Sequence, residues 1–435
     1  MIGRGYCRLL LCGWLLLPAS VVALPESDAL PQPLTLEAAL ALAGSAHPSL
    51  NLAEAAVAAA QADLRAARAD RDSELHLDGR LRWLQPSPIA ADQDHGDHAL
   101  ALVARRTLAD FGRTASRTAS AGQQLQAREA NLAAALDQHR LTIMRRFFDV
   151  LLSDMQFALA SEQMAIDYVT LDRLRDRQQL GQISDVDLLQ MESEYQQSRL
   201  ERQQAAAAQR QSRARLALAL GRPGQLPSEL VPPQLTITRE LPPIDHLLAQ
   251  ALVRNPQLLA LRAEVAAAER SIAAARADSR PRVDGHVELL ATARELGSSD
   301  RWRAGVTFAL PIYQGDRIDA AVAAAQAKLF DARARLTAAE YALREELLTL
   351  WLTLSNAPLQ QERVAAQLAF RDLYLDRSRT NYELEVKADL GDAMVRLTEA
   401  QLNEAKTLFD TALAWQRLGQ LSGENLSPSS TGESH

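Results

Sequence analysis

The chain carries only two cysteines, Cys7 and Cys12, both in its first dozen residues. The rest of the sequence can therefore hold no disulfide, thiolate nucleophile or cysteine-based metal centre. Aromatic residues are scarce at 5%, although 47% of the 435 residues are apolar. The apolar excess is alanine and leucine, with 23% charged residues spread among them. That is the composition of long helices packed along narrow seams. After the start, no stretch reaches the ~18 consecutive apolar residues of a spanning helix, so any entry into a membrane must be made by strands. Clustered lysine and arginine are also missing, and the formal charge is -7, which argues against nucleic acid as a partner. There is no glycine-rich phosphate loop, HExxH or GxSxG, so neither an enzyme nor a cofactor is expected.

The first residues read as a secretory signal over 1–23. Arg4 and Arg8 precede an apolar run, Leu9 to Leu17, and Val21-Val22-Ala23 offers a small-residue cleavage site before Leu24-Pro25. Gly13 and Pro18 shorten the run, which weighs against a membrane anchor. Bulky Leu11 and the brief run before Cys12 weigh against lipidation of that cysteine. Both cysteines leave with the signal.

What is present is a repeat. Residues 40–70 reappear at 248–278 with an offset of 208, pairing Pro48 with Pro256 and Leu50 with Leu258, and both copies end in AARAD. Alanine-rich helices match by composition alone, so the weight falls on the order of parts. Each copy, 24–221 and 244–421, runs through a proline-started helix, two alternating stretches around a polar loop, and a helical hairpin ending near Leu-Gly. A proline-rich segment, 222–243, joins them. The Ser/Gly-rich tail, 422–435, is expected to be disordered.

The period changes from 3.6 to 2 after each first helix. Leu75, Leu77, Gly79, Leu81 and Trp83 alternate with His76, Asp78, Arg80 and Arg82, and Val283, Gly285, Val287 and Leu289 alternate with Asp284, His286 and Glu288. Return strands follow polar loops at about 85–97 and 293–300, giving β-hairpins over 75–108 and 283–310. The strands are about ten residues long, enough to cross a bilayer when tilted. Trp83 and Trp302 fall at the loop ends and Phe111 and Tyr313 at the opposite ends, where membrane interfaces favour aromatics. Alternation alone fits a half-buried soluble sandwich equally well. Four strands cannot close a barrel, so a membrane reading requires several chains to pool theirs.

Helical hairpins are expected over 112–221 and 315–420. The first helix lacks proline from Gly112 to Leu180 and repeats Leu125, Leu132, Leu136, Ile143, Phe147 and Val150 at seam spacing, a run of roughly 100 Å. The second repeats Leu336, Leu343, Leu347, Leu350 and Leu354, with a kink expected at Pro358.

Two constellations carry charge that could act. Asp92, Asp94, His95, Asp97 and His98 crowd the first strand loop, and Asp94, His95 and His98 are weak metal candidates. A solvated polar loop is the simpler reading, and no metal is expected. The helical turns hold Asp185 and Asp187 in one copy and Asp389 and Asp392 in the other. Several chains around a pore would gather these into carboxylate rings that gate it. The competing reading is capping, with Ser184 and Asp187 as a capping box and Asp389 capping its own helix.

At this point the residues resemble the TolC-like outer membrane efflux proteins. The likeness lies in LTLEAALALA followed by HPSL, LLAQALVRNPQL, TLADFGRTASRTASA, ALPIYQGDRIDAAVAAAQAKL and LGQISDVDLLQ, in that duplicated order. It implies a mainly α chain with a small β part and an internal duplication. Long α-helical hairpins would form a periplasmic tunnel, with four strands per chain contributing to a 12-stranded trimeric transmembrane β-barrel. It further implies a homotrimer in the outer membrane of a Gram-negative bacterium, contacting outer membrane lipid, a periplasmic adaptor and an inner-membrane pump. Gly181, Ile183 and Ser184 match the turn where adaptor hairpins dock, and Val386 and Lys387 stand at the second turn. There the sequence departs from the family, with Glu385 at the place of the usual glycine and Lys387 near an expected arginine. The expected function is a passive exit duct. The alternatives are a periplasmic adaptor, which would show one hairpin, and a structural coiled coil, which would not need the Trp-flanked strands.

Overall fold

The computed structural model describes residues 30–44, 47–89, 93–225, 227–235, 240–292, 300–384 and 389–423. The expected signal (1–23), residues 424–435 of the tail, Asp92, Val386 and Lys387 lie outside the described residues.

The first half runs α1 (Leu36–Ala41, continued by a 3-10 turn), α2 (Pro48–Ala69), β1 (Ser73–Arg80), β2 (Ala99–Ala109), α3 (Arg113–Gln179) and α4 (Asp185–Ala219). The second runs α5 (Ile244–Arg254), α6 (Pro256–Ala277), β3 (Arg282–Thr292), β4 (Trp302–Ala309), α7 (Arg317–Glu383) and α8 (Leu390–Ser422). α2 and α6 have 22 residues each, and α3 and α7 have 67 each.

Local chemistry explains the boundaries. Pro48 and Pro256 sit at the first helical position, where the missing N–H costs nothing. Asn255 caps α6 by accepting from the Leu258 N–H at 3.1 Å, while His47 does the same for Ser49 at 3.3 Å. α3 ends on Gly181 at φ 70°. The Gln182 N–H then reaches back to the Arg177 carbonyl at 2.9 Å, and the Gly181 N–H to Gln178 at 2.8 Å. That left-handed turn satisfies carbonyls the helix would leave open, and Gly221 ends α4 in the same way.

α7 runs continuously through Pro358, the position of the expected kink; Leu354, Ala357 and Val364 are buried around it and hold the helix on its neighbours across the missing hydrogen bond. One boundary differs from the sequence reading. α8 does not stop near Gly419, which is buried within it, but runs to Ser422 with Gly423 (φ 71°) as its left-handed cap. Buried Leu421 and the bond from Asn255 Nδ2 to its carbonyl, 3.3 Å, hold this extra turn in place.

Two apolar clusters hold the middle of the long helices. In the first, Leu34, Ala39, Phe147, Phe148, Leu216, Leu220 and Phe409 bring α1, α3, α4 and α8 together, with Phe148 stacked on Phe409 at 4.3 Å. The second joins α5, α6, α7 and α8 through Leu247, Leu258, Leu343, Leu347, Trp415 and Leu418. The proline-rich segment is clasped to them: Leu34 bridges Leu230, Arg213 donates to the Pro227 carbonyl at 3.2 Å, and Trp351 donates to the Pro242 carbonyl at 3.0 Å.

Candidate functional site

The strands form one antiparallel sheet in the order β1-β2-β3-β4. Its register sorts side chains by polarity. Leu77 faces Leu102, Leu102 faces Leu289 and Leu289 faces Trp302. The next rows on the same side are Leu75, Ala104, Val287 and Ala304, then Gly285 with Val306 and Val283 with Phe308. Most of these large residues are exposed, including Leu75, Leu77, Val287, Leu289, Val306 and Phe308. The opposite face carries His76, Asp78, Arg105, Thr107, Asp284, His286, Glu288 and Arg303. Ala101 and Val103 at its centre are buried.

Several polar groups on that side are paired. Arg303 meets Glu288 at 3.1 Å and His76 meets Asp78 at 3.3 Å. Asp284 accepts from Thr107 at 3.0 Å and from Arg282 at 2.8 Å. A one-residue irregularity between Thr107 and Ala109 turns β2 toward the helices.

The first strand loop continues the β1–β2 hairpin. The Leu84 N–H donates to His95 at 2.9 Å, the Asp97 N–H donates to Arg82 at 2.8 Å, and Arg82 forms an ion pair with Asp97. The weak metal candidates have other contacts: Asp94 accepts from the Gly96 N–H at 3.2 Å, and His95 bonds the Leu84 carbonyl at 3.1 Å and stacks on Trp83. His98 lies beside Gly96. Among the described residues no group of three His, Cys, Asp or Glu side chains is gathered as a metal site would need. Trp83, Trp302, Phe111 and Tyr313 are all exposed, the tryptophans toward the loop end of the sheet and the other two just past β2 and β4.

Where the sheet meets the bundle, the sequence reading missed a key residue. Asp110 is buried and accepts from the Gly112 N–H at 3.2 Å and the Thr114 N–H at 2.7 Å. It thereby caps α3, whose own N-cap, Gly112, makes no side-chain bond. Burial favours the neutral acid. The Thr114 side chain, these backbone donors and Arg71 outweigh it and hold the carboxyl below its ordinary range. A group depressed in the folded state stabilises above its unfolded pKa, near ~4, and that stability is lost as pH falls through the folded value. Asp110→Asn is expected to cost about 1–2 kcal/mol at neutral pH and to flatten the acid limb of the stability curve. Identical acid limbs for the two proteins in denaturant titrations between pH 5 and 2 would refute this.

The duplicated AARAD ends converge on the same corner. Asp278, closing α6, meets Arg113 at 2.9 Å and Arg117 at 3.5 Å, while Asp70, closing α2, meets Arg117 at 3.5 Å. α3 is thus pinned between the two first helices.

At the far end, the first turn is an engaged cap. Asp187 and Ser184 form the expected capping box, with Ser184 Oγ to Asp187 at 2.8 Å and the Asp187 N–H to Ser184 Oγ at 3.2 Å. Asp185 accepts from Gln178 at 3.0 Å. Gly181 and Ser184 are exposed on this turn and Ile183 is half-buried. In the second turn Asp389 occupies the N-cap position of α8 but makes no side-chain cap bond, contrary to the sequence reading; its ψ of 52° departs from the extended backbone a capping side chain needs. Asp392 pairs with Arg396 at 3.3 Å, and Arg396 reaches Glu399 at 3.4 Å. Asp392, with Glu399, raises the arginine's pKa. Arg396 was not legible as a partner until the turn was placed.

The four aspartates do not form one cluster within a chain. Gly391 rests against Ile166 of α3, where an added Cβ would come within 3.0 Å of the isoleucine. Ile166 precedes the end of α3 by a stretch of about 20 Å. Asp392 therefore lies on the flank of α3, and Asp185 and Asp187 lie at its tip.

Comparison with known proteins places this geometry. The family profile described as outer membrane efflux protein matches residues 247–424. No curated protein sequence matches the chain. Among solved structures, the outer membrane channel CmeC of Campylobacter jejuni is 14% identical with a TM-score of 0.74, covering 92% of this chain and 87% of that one. The outer membrane protein VceC of Vibrio cholerae is 18% identical with a TM-score of 0.71, covering 90% and 97%. The open state of the MtrE outer membrane channel of Neisseria gonorrhoeae is 18% identical with a TM-score of 0.70, covering 91% and 90%. Residues 247–424 of the chain are thus similar to the outer membrane efflux protein family, and over nine-tenths of its length the chain has the fold of these outer membrane channels.

Proposed function

We propose that three copies of this chain, each built as a duplicated unit, form a passive duct. Its 12-stranded barrel would cross the outer membrane and its helices would line a periplasmic tunnel, carrying efflux substrates from an inner-membrane pump to the exterior. The observation that carries the reading is the sheet: one exposed, mostly apolar face broken by Arg106 beside Gly285, one polar face, and two open edges, β1 and β4, of 8 residues each. An apolar band next to lipid is stable only if no backbone edge faces the lipid with it, because each unpaired group costs several kcal/mol there. β4 of one copy can pair antiparallel with β1 of the next. Two copies would give eight strands, whose interior side chains fill, whereas twelve leave a lumen.

No energy-converting site is needed, because the duct is passive and the pump supplies the work. Exposed Gly181 and Ser184, with half-buried Ile183 between them, offer a docking turn for a periplasmic adaptor, and Val386 and Lys387 would take the same part at the second turn. The periplasmic-adaptor and structural coiled-coil alternatives fit less well: this chain has two hairpins, and the apolar sheet serves no purpose in a soluble rod. We assign the gate to the second turn, where Asp392, Arg396 and Glu399 form an exposed charge network, with Asp185, Asp187 and Asp389 as further rings.

The test is electrical. The purified protein is expected to run as a trimer and to conduct in planar bilayers. Asp392→Asn, which releases Arg396 from one of its two carboxylates, is expected to change single-channel conductance or open probability several-fold while the trimer persists. A protein that extracts as soluble and never conducts sinks the duct. A conducting Asp392→Asn trimer with unchanged current at every pH sinks this gate alone.

A further inference from the structure

The helix starts at Pro48 and Pro256 are matched copies, but the residues that seat them differ. In the second half the N-cap is Asn255, which is buried and accepts from the Leu258 N–H at 3.1 Å. Leu258 packs in one cluster with Leu343 of α7. The shift of 208 that carries Pro256 back to Pro48 puts His47 in the place of Asn255. A shift of 204 aligns buried Leu343, Leu347 and Leu354 of α7 with buried His139, Ile143 and Val150 of α3, so His139 takes the place of Leu343. Where the second half has an amide and an aliphatic side chain, the first half has two imidazoles.

The two rings touch. Their centroids lie 4.3 Å apart with planes inclined by 32°, and His139 is 6% exposed. The Ser49 N–H, which can only donate, reaches His47 Nδ1 at 3.3 Å, and Ser49 Oγ lies 2.7 Å from the same nitrogen. That nitrogen therefore presents a lone pair, and the cap on α2 exists only while it carries no proton. A charge on His47 would also stand at the positive end of α2. Burial, and then the His47 ring, lower the pKa of His139.

Charged groups on the surrounding elements are engaged or face solvent. On α3 itself Asp137 pairs with Arg140 at 3.9 Å; Arg262 of α6 meets Glu340 at 3.6 Å, and Arg417 of α8 meets Glu346 at 2.6 Å. Arg222, just past α4, has contacts of its own, and Glu37 of α1 and Glu54 of α2 are exposed. Burial raises the pKa of Asp137 and of Asp410 on α8. Stability tied to such groups grows as pH falls, which is the opposite sign to the histidine effect.

We propose that His47 and His139 form an acid-released latch: with both rings neutral they hold the start of α2 against α3, and a proton on either ring opens that joint while the Asn255–Leu343 joint stays shut. A base whose folded pKa lies below its unfolded value stabilises fully above the unfolded value, near ~6.5, and loses that stability as pH falls through the folded one. The ligand is the proton. The latch lies within one chain, so it stands or falls apart from the trimer.

Hydrogen–deuterium exchange of the full-length protein, corrected for the intrinsic effect of pH on exchange, reads the two joints separately. Between about pH 7.5 and 5, protection over residues 48–58 is expected to fall about tenfold or more, one pKa unit being worth a factor of about ten. Protection over 256–266 is expected to hold. His47→Asn/His139→Leu, which installs the residues of the second half, is expected to keep the first joint closed at both pH values. His47→Asn alone keeps a capping side chain, removes one of the two charges and is expected to shrink the loss; it decides the matter should the double variant fail to fold. Protection over 48–58 that does not change with pH, or that falls as steeply in the folded variants as in the natural chain, overturns the latch.

Discussion

Val287→Arg should abolish assembly into the outer membrane, while Asp78→Arg, on the other face of the same sheet, should leave assembly intact. Val287 sits mid-strand in the exposed apolar row with Leu75, Ala104 and Ala304. An arginine at the bilayer midplane costs about 2–4 kcal/mol, and the proposed trimer would bear it three times, on the order of 6–12 kcal/mol in all. That is comparable with the whole stability of a typical fold. Asp78 lies one face over, beside His76, where an arginine would meet water. The measurement is the amount of each variant in the outer membrane fraction, compared with soluble or degraded protein. Equal recovery of the two variants would mean that the apolar face does not meet lipid.

Phe148→Ala should produce the largest loss of stability outside the sheet. The ring is 1% exposed and stacks on Phe409 of α8 at 4.3 Å with planes 4° apart. Emptying such a site costs roughly 3–5 kcal/mol through lost transfer and an unfilled cavity, and the stacked partner adds to the loss. The effect should be global, because this cluster ties α1, α3, α4 and α8 in one place. Denaturant or thermal unfolding of the purified protein reads it. A change below about 1 kcal/mol would place the two rings apart in the folded protein.

The legible features were those encoded locally. Helix starts at Pro48 and Pro256, the turn at Gly181 and the capping box of Ser184 and Asp187 depend on residues within one or two turns of each other, so the sequence displays them directly. Strand alternation is equally local, which is why the two faces of the sheet could be read from Leu75 to Gly79 and from Val283 to Leu289, whereas Leu81 and Trp83 fall beyond β1, which ends at Arg80. Pairings across long separations were not legible. Asp110 is a local exception: its partners, the Gly112 and Thr114 N–H groups, lie only two and four residues away, but the expected helix start at Gly112 left it in the strand-to-helix connection. Arg113 had no visible partner because Asp278 lies more than 160 residues away. Asp389 failed as a side-chain cap, and Gly419 was absorbed into α8, because packing of the final turn by Leu421 and Asn255 outweighed the local stop signal.

The sequence by itself determined which segments become long helices and which become two-faced strands, because those depend on periodicity and on Pro, Gly and Ser at fixed offsets. Tertiary structure alone decided how the two halves meet: the β2–β3 register, Asp278 on Arg113, Phe148 on Phe409 and the second turn resting on Ile166. The physical reason is that an alanine-rich helix offers several equivalent seams of similar energy, and only the simultaneous fit of side chains far apart in the chain selects one of them.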